Sequence, residues 1–582
     1  MKVKLAKTAG FCMGVRRALD LVLKEAGHTE KPLYTFGPLI HNPQVLELLK
    51  NRGVEPVETL DEIKGGTVFI RAHGVPPEIK KGIEERGARV IDATCPHVLR
   101  AQMILDKYAK RGYKGVISGD PNHPEVVGLL GFTHAKGLVV QSKEELRSLA
   151  PTEKVVIVAQ TTQHHEQFDD LVQFAESYFH EVKVERTICG ATRERQAEVS
   201  SMAPHVDGMV VVGGYNSGNT RRLARIARES GVETFHVETD EELEPEKLSH
   251  LNVVGVTAGA STPNWMIKKV IQKLQNMRGS TESAWRSQGF RFLKFVLQSN
   301  LYVALCGAGL TYASMTAQGL TSSPAKLRLM LISFLFLYSL HIINHLLDRD
   351  AGQFNDPERI RFFNRYKFWF VISGGVAQLA VVWMAYRLGM AVLAAALLVM
   401  IGGLLYSVLP VPRALRRSIP YRRFKDIPGS KSVSIALGWG VVTTFLPALT
   451  TGFPDPAAFV SAFTVVVGLV LVRSAFFELL DVQGDMIVGK ETLPVLLGEQ
   501  KTLHILNMIL VLLAALLIGF ALLGWGRGLP VIFGFCCPYT LTYLWLFGKR
   551  KFTPGPAFEL TVESNFVLAG IVAYLFNSGL FG

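Results

Sequence analysis

The 582-residue sequence contains few cysteines, and its first half contains no long hydrophobic run. Six cysteines scattered over this length are too few for a disulfide scaffold. Cys306, Cys536 and Cys537 lie in apolar runs and are expected to pack as small hydrophobic side chains. The opening residues MKVKLAKTAG have no apolar core and no small-residue cleavage site, so no secretory leader is expected. These absences predict a first half that folds in the cytoplasm, where thiols stay reduced.

The second half has the opposite deficiency, because it lacks charged residues over long stretches. Residues 1–277 mix charged and apolar side chains as a soluble domain does, whereas residues 278–290 are polar without apolar periodicity. Residues 291–582 are dominated by apolar runs. A chain of this length is too long for one domain. We therefore predict a soluble domain over 1–277, a linker over 278–290 and a membrane domain over 291–582.

Short β-branched runs alternate with amphipathic helical patterns throughout the first half. Segments such as GTVFIRAHG, KVVIVAQTT and LNVVGVTAG are continuous apolar runs that end in glycine or polar residues. Runs of this kind followed by helices are typical of parallel sheets that are covered on both faces. The first half is therefore predicted to be an α/β domain.

Three cysteines share a repeated pattern of strand, small or hydroxyl residues, cysteine and helix. VKLAKTAGFCMGVRRALDLVL contains Cys12, ARVIDATCPHVLRAQMILDKY contains Cys95, and VKVERTICGATRERQAEVSSM contains Cys189. A helix N-terminus favours the thiolate, which is the form that binds metals. The repeat predicts a pseudo-threefold arrangement of three α/β lobes, each of which presents one cysteine to a common centre. The alternative is three buried structural cysteines.

Polar side chains cluster just after the predicted strands, at the edge where ligands bind in α/β sheets. Histidine, hydroxyl and amide groups that converge there can donate hydrogen bonds to an anion such as a diphosphate. One such residue is usually an ordinary loop residue, but here the set recurs at equivalent strand ends. Its members are His41, His73, His123, Glu125, Thr161, Thr162, Ser217, Asn219 and Ser261.

From Met1 to about Met277 the sequence resembles the IspH (LytB) family, 4-hydroxy-3-methylbut-2-enyl diphosphate reductase. The motifs GFCMGV, HNP, AHGV, DATCP, HPEV, QTT, NSGNT and TAGAS occur in the family's order. The resemblance implies one 4Fe–4S cluster held by Cys12, Cys95 and Cys189. Three ligands for four irons leave one iron open to bind the substrate's hydroxyl oxygen. The implied reaction removes that hydroxyl as water and gives isopentenyl and dimethylallyl diphosphate.

The same resemblance assigns roles to the polar residues. Glu125 matches the family's essential acid, and Thr161 matches its partner near the substrate hydroxyl. Some members carry a second serine where this sequence has Gly218, so only the backbone amide can donate at that position. An electron donor such as ferredoxin or flavodoxin is the implied protein partner. The substrate pocket is matched by His41, His73, His123, Thr162, Ser217, Gly218, Asn219 and Ser261.

Nine apolar stretches of the second half are long enough to cross a bilayer as helices. They lie near residues 294–315, 327–347, 366–386, 389–409, 432–450, 459–480, 503–524, 528–547 and 562–581. If the N-terminus is inside, the inner loops carry far more arginine and lysine than the outer loops, as the positive-inside rule requires. We therefore predict a multi-pass protein of the inner membrane with a cytoplasmic N-terminal domain and an outer C-terminus. The net charge of +13 then reflects topology and contact with anionic lipid, and no nucleic-acid partner is expected.

Two predicted inner helix ends carry polar residues on one helix face. The first set is His341, Asn344, His345 and Asp348, and the second is Glu478, Asp481 and Asp485. A charge deep in a membrane helix costs roughly 2.5–3.5 kcal/mol on insertion scales, so such residues usually serve a function. Two acidic stripes on one side of the membrane predict a Mg²⁺ site that binds a diphosphate, with Lys490 nearby. Two solvated helix ends are the alternative.

Over about residues 295–582 the sequence resembles the UbiA superfamily of intramembrane prenyltransferases. DVQGDMIVGKETLP matches the family's second acidic motif, with Asp481, Asp485 and Lys490 in place. The resemblance implies transfer of a prenyl group from its diphosphate to an acceptor, with Mg²⁺ bound to the leaving group.

The first acidic motif of that family is matched only in part. NHLLD supplies Asn344 and Asp348, but Gly352 stands where the family usually has a further carboxylate. Asp350 or Asp356 could substitute for it. The metal coordination of this half therefore differs from the usual family pattern.

Three interpretations follow from these patterns. The favoured one is a fusion of two isoprenoid enzymes, a reductase and a prenyltransferase. In the second, the membrane half is an inactive anchor, for which the altered first motif is the argument. In the third, the soluble half is an iron–sulfur redox sensor attached to a transporter, although a sensor has no use for a diphosphate pocket.

Overall fold

The computed structural model describes residues 1–28, 32–277, 284–347, 352, 354–408, 424–482, 484–485, 492–526, 528–549 and 555–579. The chain divides into two compact units, Met1–Glu282 and Ser283–Gly582. The described part of the first unit alternates strands and helices, and that of the second is helical. This agrees with the α/β and all-α classes predicted from the sequence.

The first unit contains three four-stranded sheets in which all neighbouring strands are parallel. The strands are β1 (Lys2–Leu5), β2 (Leu33–Phe36), β3 (Val54–Val57), β4 (Thr67–Ile70), β5 (Arg89–Asp92), β6 (Lys114–Ser118), β7 (Gly137–Val140), β8 (Lys154–Ala159), β9 (Glu181–Val184), β10 (Gly208–Val212), β11 (Glu233–Val237) and β12 (Val253–Ala258). Strands β4 and β10 are buried along their whole length, because helices cover parallel sheets on both faces.

The three sheets share one strand order. Two are built from consecutive strands, in the orders β3-β2-β4-β5 and β7-β6-β8-β9. The third has the order β11-β10-β12-β1, so the N-terminal strand β1 takes the edge place that β5 and β9 take in the other two. Lys2 of β1 pairs with Val253 of β12. The repeated lobes predicted from the cysteine pattern are therefore present, and the third lobe is assembled from both ends of the unit.

The described part of the first unit has ten α-helices, of which nine lie between strands and the last follows β12. They are α1 (Met13–His28), α2 (Pro43–Asn51), α3 (Pro77–Glu85), α4 (Pro96–Ala109), α5 (Pro124–Leu130), α6 (His165–Tyr178), α7 (Gly190–Met202), α8 (Gly218–Glu229), α9 (Pro245–Leu248) and α10 (Asn264–Asn276).

The described part of the second unit is a helical bundle with a large apolar core. Trp439, Phe476 and Phe533 are fully buried in that core. The helices are α11 (Ala284–Gln298), α12 (Leu301–Ala317), α13 (Lys326–Leu347), α14 (Pro357–Arg365), α15 (Lys367–Leu388), α16 (Met390–Val408), α17 (Ser430–Gly440), α18 (Leu446–Thr450), α19 (Pro456–Leu480), α20 (Leu493–Leu497), α21 (Glu499–Leu522), α22 (Leu529–Phe533), α23 (Cys536–Gly548) and α24 (Pro556–Asn577).

The predicted count of nine spans is not confirmed. Among the described residues, seven helices are long and apolar enough to cross a membrane, and a bent pair raises the number to eight. The seven are Lys326–Leu346, Lys367–Leu388, Ser430–Thr451, Pro456–Leu480, Glu499–Leu522, Leu529–Gly548 and Pro556–Asn577. The predicted span at 389–409 corresponds to α16, whose described length is shorter than any of these.

The start of the second unit also differs from the sequence prediction. Residues 284–290, assigned to the linker, are helical, because α11 begins at Ala284. The span predicted at 294–315 is two helices, Arg291–Gln298 and Leu301–Ala317, which meet at an angle of 69°. Asn300 lies between them with φ 63°, a left-handed conformation that asparagine tolerates and that interrupts a helix.

Candidate functional site

Each of the three repeated cysteines follows an edge strand of one sheet and precedes a helix. Cys12 lies between β1 and α1, Cys95 is the N-terminal capping residue of α4, and Cys189 is that of α7. The sequence pattern of strand, cysteine and helix is therefore present in all three lobes.

The backbone of each cysteine is bonded to a loop that carries a predicted pocket residue. The Cys189 amide donates to the Thr161 carbonyl at 2.9 Å, and the Cys95 amide donates to the carbonyl of Ala72, the neighbour of His73, also at 2.9 Å. The Cys12 amide donates to the carbonyl of Ala260, the neighbour of Ser261, at 3.1 Å. These bonds tie the edge-strand cysteines to the loops that follow the inner strands β8, β4 and β12.

The three thiols are free, half-buried and close enough to influence one another's ionisation. Burial raises the pKa of Cys95, and the charges of Cys12 and Cys189 raise it further. Burial also raises the pKa of Cys189, and Cys12 adds to the effect. Amides in the first turns of α4 and α7 oppose this shift but do not outweigh it, contrary to the expectation of a lowered thiol pKa. The thiolate form therefore depends on a bound cation, which a cluster of iron ions would supply.

Gly14, two residues after Cys12, packs directly against the sulfur of Cys95 and leaves no space for a side chain. Gly190, which follows Cys189, has open space around it. The lobes of Cys12 and Cys95 are thus in tight contact. Three converging thiols without a disulfide fit the donor set of an iron–sulfur cluster. Their role as cluster ligands stays a prediction.

Three histidines from two different sheets form a compact cluster. His41 follows β2, His73 follows β4 and His123 follows β6. The ring centroids are 4.7 Å apart for His41 and His73, 5.6 Å for His41 and His123, and 5.4 Å for His73 and His123. One nitrogen of each ring lies within 4.8 Å of one nitrogen of each of the others. The three rings can therefore bind one ligand together.

Burial holds these imidazoles in the neutral form. It lowers the pKa of His123 to about 4 and that of His73 well below its usual range. His41 adds to both effects, and His123 adds to the effect on His73. Burial also lowers the pKa of His41, to which the guanidinium groups of Arg71 and Arg221 contribute. Each ring therefore carries one N–H donor at neutral pH.

The local structure fixes where the His123 hydrogen is. His123 is the N-terminal capping residue of α5, and its Nδ1 accepts a hydrogen bond of 3.2 Å from the Glu125 amide. The Nε2 atom must then carry the hydrogen of the neutral ring. This leaves Nε2 as a donor for a ligand.

Several buried polar atoms of the pocket have no hydrogen-bond partner among the described residues. They are Nε2 of His41, Nδ1 of His73 and both side-chain amide atoms of Asn219. Native proteins rarely leave such atoms unpaired, because each carries a desolvation cost of about 1–3 kcal/mol. A bound anion with several acceptor oxygens would pair the donors among them.

The third lobe contributes hydroxyl and amide groups from the ends of β10 and β12. Ser217 caps α8 and accepts a hydrogen bond of 3.4 Å from the Thr220 amide, and Ser261 donates to the His41 carbonyl at 3.2 Å. Gly218 has nothing within 4 Å of the position a Cβ would take, so packing does not require glycine there.

Three arginines surround this pocket and were not found from the sequence. Arg71 and Arg221 act on His41, and Arg222 acts on both His123 and Glu125. Arg222 also donates to the Thr162 carbonyl and, at 2.8 Å, to Oε1 of Gln163. The sequence indicated them only by their positions, because Arg71 directly precedes the AHGV motif and Arg221 and Arg222 directly follow NSGNT. Neutral hydrogen-bond donors in the positive electrostatic potential of three arginines suit a strongly charged anion such as a diphosphate.

Glu125, in the first turn of α5, and Thr161, just after β8, form a buried pair. The Thr161 amide donates to Oε1 of Glu125 at 2.6 Å, and the Thr161 hydroxyl bonds to Oε2 at 2.8 Å. Glu125 is 2% exposed, and burial raises its pKa to about 7 against the opposing effect of Thr161 and Arg222. This carboxyl group can therefore hold a proton at neutral pH.

The LytB protein family model matches residues 3–275. The chain is 45% identical over 276 residues to the 4-hydroxy-3-methylbut-2-enyl diphosphate reductase of Aquifex aeolicus, covering 47% of this chain and 96% of that relative. The first half of the chain belongs to the LytB family. The reductase of the same name from Alkaliphilus oremlandii is 41% identical over 279 residues, covering 48% of this chain and all of the relative.

The UbiA prenyltransferase family model matches residues 301–558. Among solved structures, a UbiA homolog from Archaeoglobus fulgidus bound to GPP and Mg²⁺ is similar to 48% of this chain and 99% of that chain, with 18% identity and a TM-score of 0.37. The second half of this LytB-family chain thus resembles UbiA proteins.

The described part of the second unit contains three of the five residues predicted for the membrane site. Asn344 lies near the end of α13, and Asp481 caps the C-terminus of α19. Asp485 is buried and accepts a hydrogen bond of 3.4 Å from Nδ2 of Asn355. Asp348 and Lys490 lie outside the described residues, as does Asp350.

Of the two possible substitutes for the absent carboxylate at Gly352, only Asp356 lies within the described residues. Asp356 caps α14, where its carboxylate accepts from the Arg359 amide at 3.1 Å. Asn355 instead reaches Asp485 and packs against Gly484. Asn355 is therefore a residue of this segment that contacts the second acidic motif, and no local sequence pattern predicts that contact.

Proposed function

We propose that the first unit reduces 4-hydroxy-3-methylbut-2-enyl diphosphate to isopentenyl and dimethylallyl diphosphate. The similarity to reductases of that name over nearly their whole length supports this proposal. The observation that carries it is the pocket of neutral histidines, unpaired donors and surrounding arginines beside a buried carboxyl group whose pKa is raised to about 7. A redox sensor would have no need for such an anion pocket.

In this proposal the diphosphate is held by chain groups that donate hydrogen bonds. Nε2 of His123 and the Asn219 amide donate to its oxygens, with the backbone of Gly218 at the N-terminus of α8. The positive charges of Arg71 and Arg221 balance the negative charge of the diphosphate, and they can do so without touching it. The substrate's hydroxyl group is then directed toward Glu125 and Thr161.

The reaction consumes two electrons and two protons, and the hydroxyl group leaves as water. The 4Fe–4S cluster implied by Cys12, Cys95 and Cys189 would supply the electrons when bound, and the three thiols fit it. Glu125 provides a proton through its carboxyl group, which Thr161 orients with two hydrogen bonds. Burial of this pair excludes water from the proton donor.

The test is anaerobic purification of the full chain, followed by turnover with a viologen as reductant. We expect Glu125→Gln to keep the visible spectrum of the cluster and to lose most of the turnover, because glutamine cannot donate the proton. Glu176→Gln, at an exposed position of α6, is the matched control and should turn over normally. Equal turnover of both variants would refute the role of Glu125.

For the second unit we propose Mg²⁺-dependent transfer of a prenyl group from a diphosphate to an acceptor. The UbiA family match supports this. Asp481, Asp485 and the amide oxygen of Asn355 are hard oxygen donors of the kind that Mg²⁺ binds, so the described residues fit the metal. The remaining members of the proposed site are Asn344, Asp348 and Lys490.

An inactive anchor is the competing function of the second unit, favoured by Gly352 in place of a carboxylate. A Cβ at this position would lie 2.7 Å from Cδ1 of Ile360, so the usual carboxylate would not fit without rearrangement. Prenyl transfer from a labelled diphosphate to extracted membrane lipids decides between the two. Prenyl transfer by the parent protein that is lost in Asp485→Asn would support the enzyme. The absence of prenyl transfer by the parent protein would support the anchor.

We also propose the inner membrane as the location, with residues 1–277 in the cytoplasm and, counting the bent pair and α16 as the eighth and ninth spans, the C-terminus outside. The excess of basic residues in the loops assigned to the inside supports this orientation. Protease accessibility of the first unit in inverted and right-side-out vesicles tests it. The electron donor, such as ferredoxin or flavodoxin, would act on the cytoplasmic side.

A further inference from the structure

Helix α11 approaches the membrane bundle at a steep angle to the helix that follows it. Its segment Arg291–Gln298 makes an angle of 69° with Leu301–Ala317. Membrane-spanning helices are tilted by about 20° on average from the bilayer normal. A helix at 69° to a span therefore runs closer to the membrane plane than to its normal. Since α11 leads into α12, it lies at the level where the chain enters the bilayer.

One side of α11 is held by the second unit itself. Lys294 forms an ion pair with Glu358 of α14, and the Leu297 carbonyl accepts a hydrogen bond of 3.5 Å from Nη2 of Arg359. Leu297 is 1% exposed. These contacts fix the rotation of α11 about its axis, because Lys294 and Leu297 are three residues apart and share a helix face.

The other side of α11 is more exposed and carries two phenylalanines. Phe292 is 71% exposed, whereas Phe295 is 48% exposed and packs one edge of its ring against Phe362 of α14, with 5.9 Å between the ring centroids. Together with the exposed Gln288 and Arg291 they follow the helical spacing of i, i+3, i+4 and i+7. Two exposed phenylalanines beside an arginine, on a helix in the membrane plane, form the kind of face that enters the headgroup and acyl boundary.

We propose that α11 is an interfacial helix whose exposed face binds the lipid surface on the side of the membrane where α12 begins. Phe292 and Phe295 would insert among the upper acyl chains, and Arg291 would contact anionic headgroups. The occupant is lipid because α11 leads directly into the apolar helices of the second unit and runs at 69° to α12, while α14 holds its opposite side. This contact is separate from both proposed catalytic sites.

The test is photo-crosslinking of the full chain in nanodiscs of phosphatidylglycerol and phosphatidylcholine. The photoreactive residue 4-benzoylphenylalanine replaces Phe292 or Phe295. Phe368, 68% exposed on the spanning helix α15, is the positive control, and Met103, 70% exposed on α4 of the first unit, is the negative control. Mass spectrometry measures the fraction of protein that carries a lipid adduct.

We expect positions 292 and 295 to form lipid adducts about as often as position 368 and about tenfold more often than position 103. Adducts of position 292 within the chain, or no adducts with lipid, would overturn the proposal, because the face would then be covered by protein or lie in water. Adducts of position 295 with α14 are expected from its contact with Phe362 and do not bear on the proposal. Arg291→Glu should lower the adducts with phosphatidylglycerol several-fold and leave those with phosphatidylcholine unchanged. An equal yield with both lipids in this variant and the parent would overturn the anionic part of the proposal.

Discussion

The raised pKa of Glu125 makes a quantitative prediction for the pH dependence of reduction. A carboxyl group with its usual pKa of 4.5 would be protonated in about one molecule in 3,000 at pH 8, whereas a pKa of about 7 gives about one in ten. If Glu125 supplies the proton, turnover should be constant below about pH 7 and should fall about tenfold for each pH unit well above it. A viologen reductant is suitable because its own potential does not change with pH.

The hydrogen bonds of Thr161 give this prediction a second variant. The Thr161 hydroxyl lowers the pKa of Glu125, so Thr161→Val should raise it and move the loss of turnover to higher pH. Thr152→Val is the matched control, because Thr152 is exposed and precedes β8, at the opposite end of that strand from Thr161. An unchanged midpoint in Thr161→Val, or a parent profile that falls near pH 4.5, would refute the reasoning.

The raised pKa of Glu125 should also make the stability of the first unit depend on pH. Because burial raises the folded-state pKa from 4.5 to about 7, the folded state binds the proton more tightly than the unfolded state. The unfolding free energy of the first unit should therefore fall between about pH 4.5 and 7, by roughly 3 kcal/mol, and stay level above. Glu125→Gln should remove this step, which hydrogen exchange of buried strand amides can measure without turnover.

Three further predictions concern metals. Serine in place of Cys12, Cys95 or Cys189 should abolish the visible absorption and the bound iron of the purified protein, whereas Cys306→Ser should keep both. Gly14→Ala should reduce iron incorporation, because its methyl group would overlap the sulfur of Cys95, while Gly190→Ala should incorporate iron normally because its surroundings are open. Mg²⁺ at about 100 times its dissociation constant should stabilise the second unit by about 2.7 kcal/mol in the parent and by much less in Asp485→Asn, as the thermal midpoint of its unfolding with and without EDTA would report.

Several features of the site were accessible from the sequence because they depend on short stretches of chain. A cysteine between a strand and a helix is a local pattern, and it placed Cys95 and Cys189 at helix N-termini as the structure has them. The polar residues after the strands were found in the same way, since parallel strands expose their carboxyl ends on one edge. Apolar length likewise identified most of the membrane helices.

Other features depended on contacts between distant parts of the chain. No local pattern pairs β1 with β12, yet this pairing completes the lobe of Cys12. Arg222 was overlooked because its relation to Glu125 is established only by packing. The bend at Asn300 was missed because hydropathy measures apolar length and not helix direction.

The sequence alone therefore determined the two classes of fold, the repeated cysteine pattern and the chemistry of the polar loops, because hydrophobic period and helix starts are set by neighbouring residues. Only the tertiary structure decided that three imidazoles meet and are neutral, and that the Glu125 carboxyl group holds a proton near pH 7. Ionisation depends on how completely a group is removed from water and on which charges surround it. Both conditions arise when the ends of strands far apart in the chain are brought to one centre.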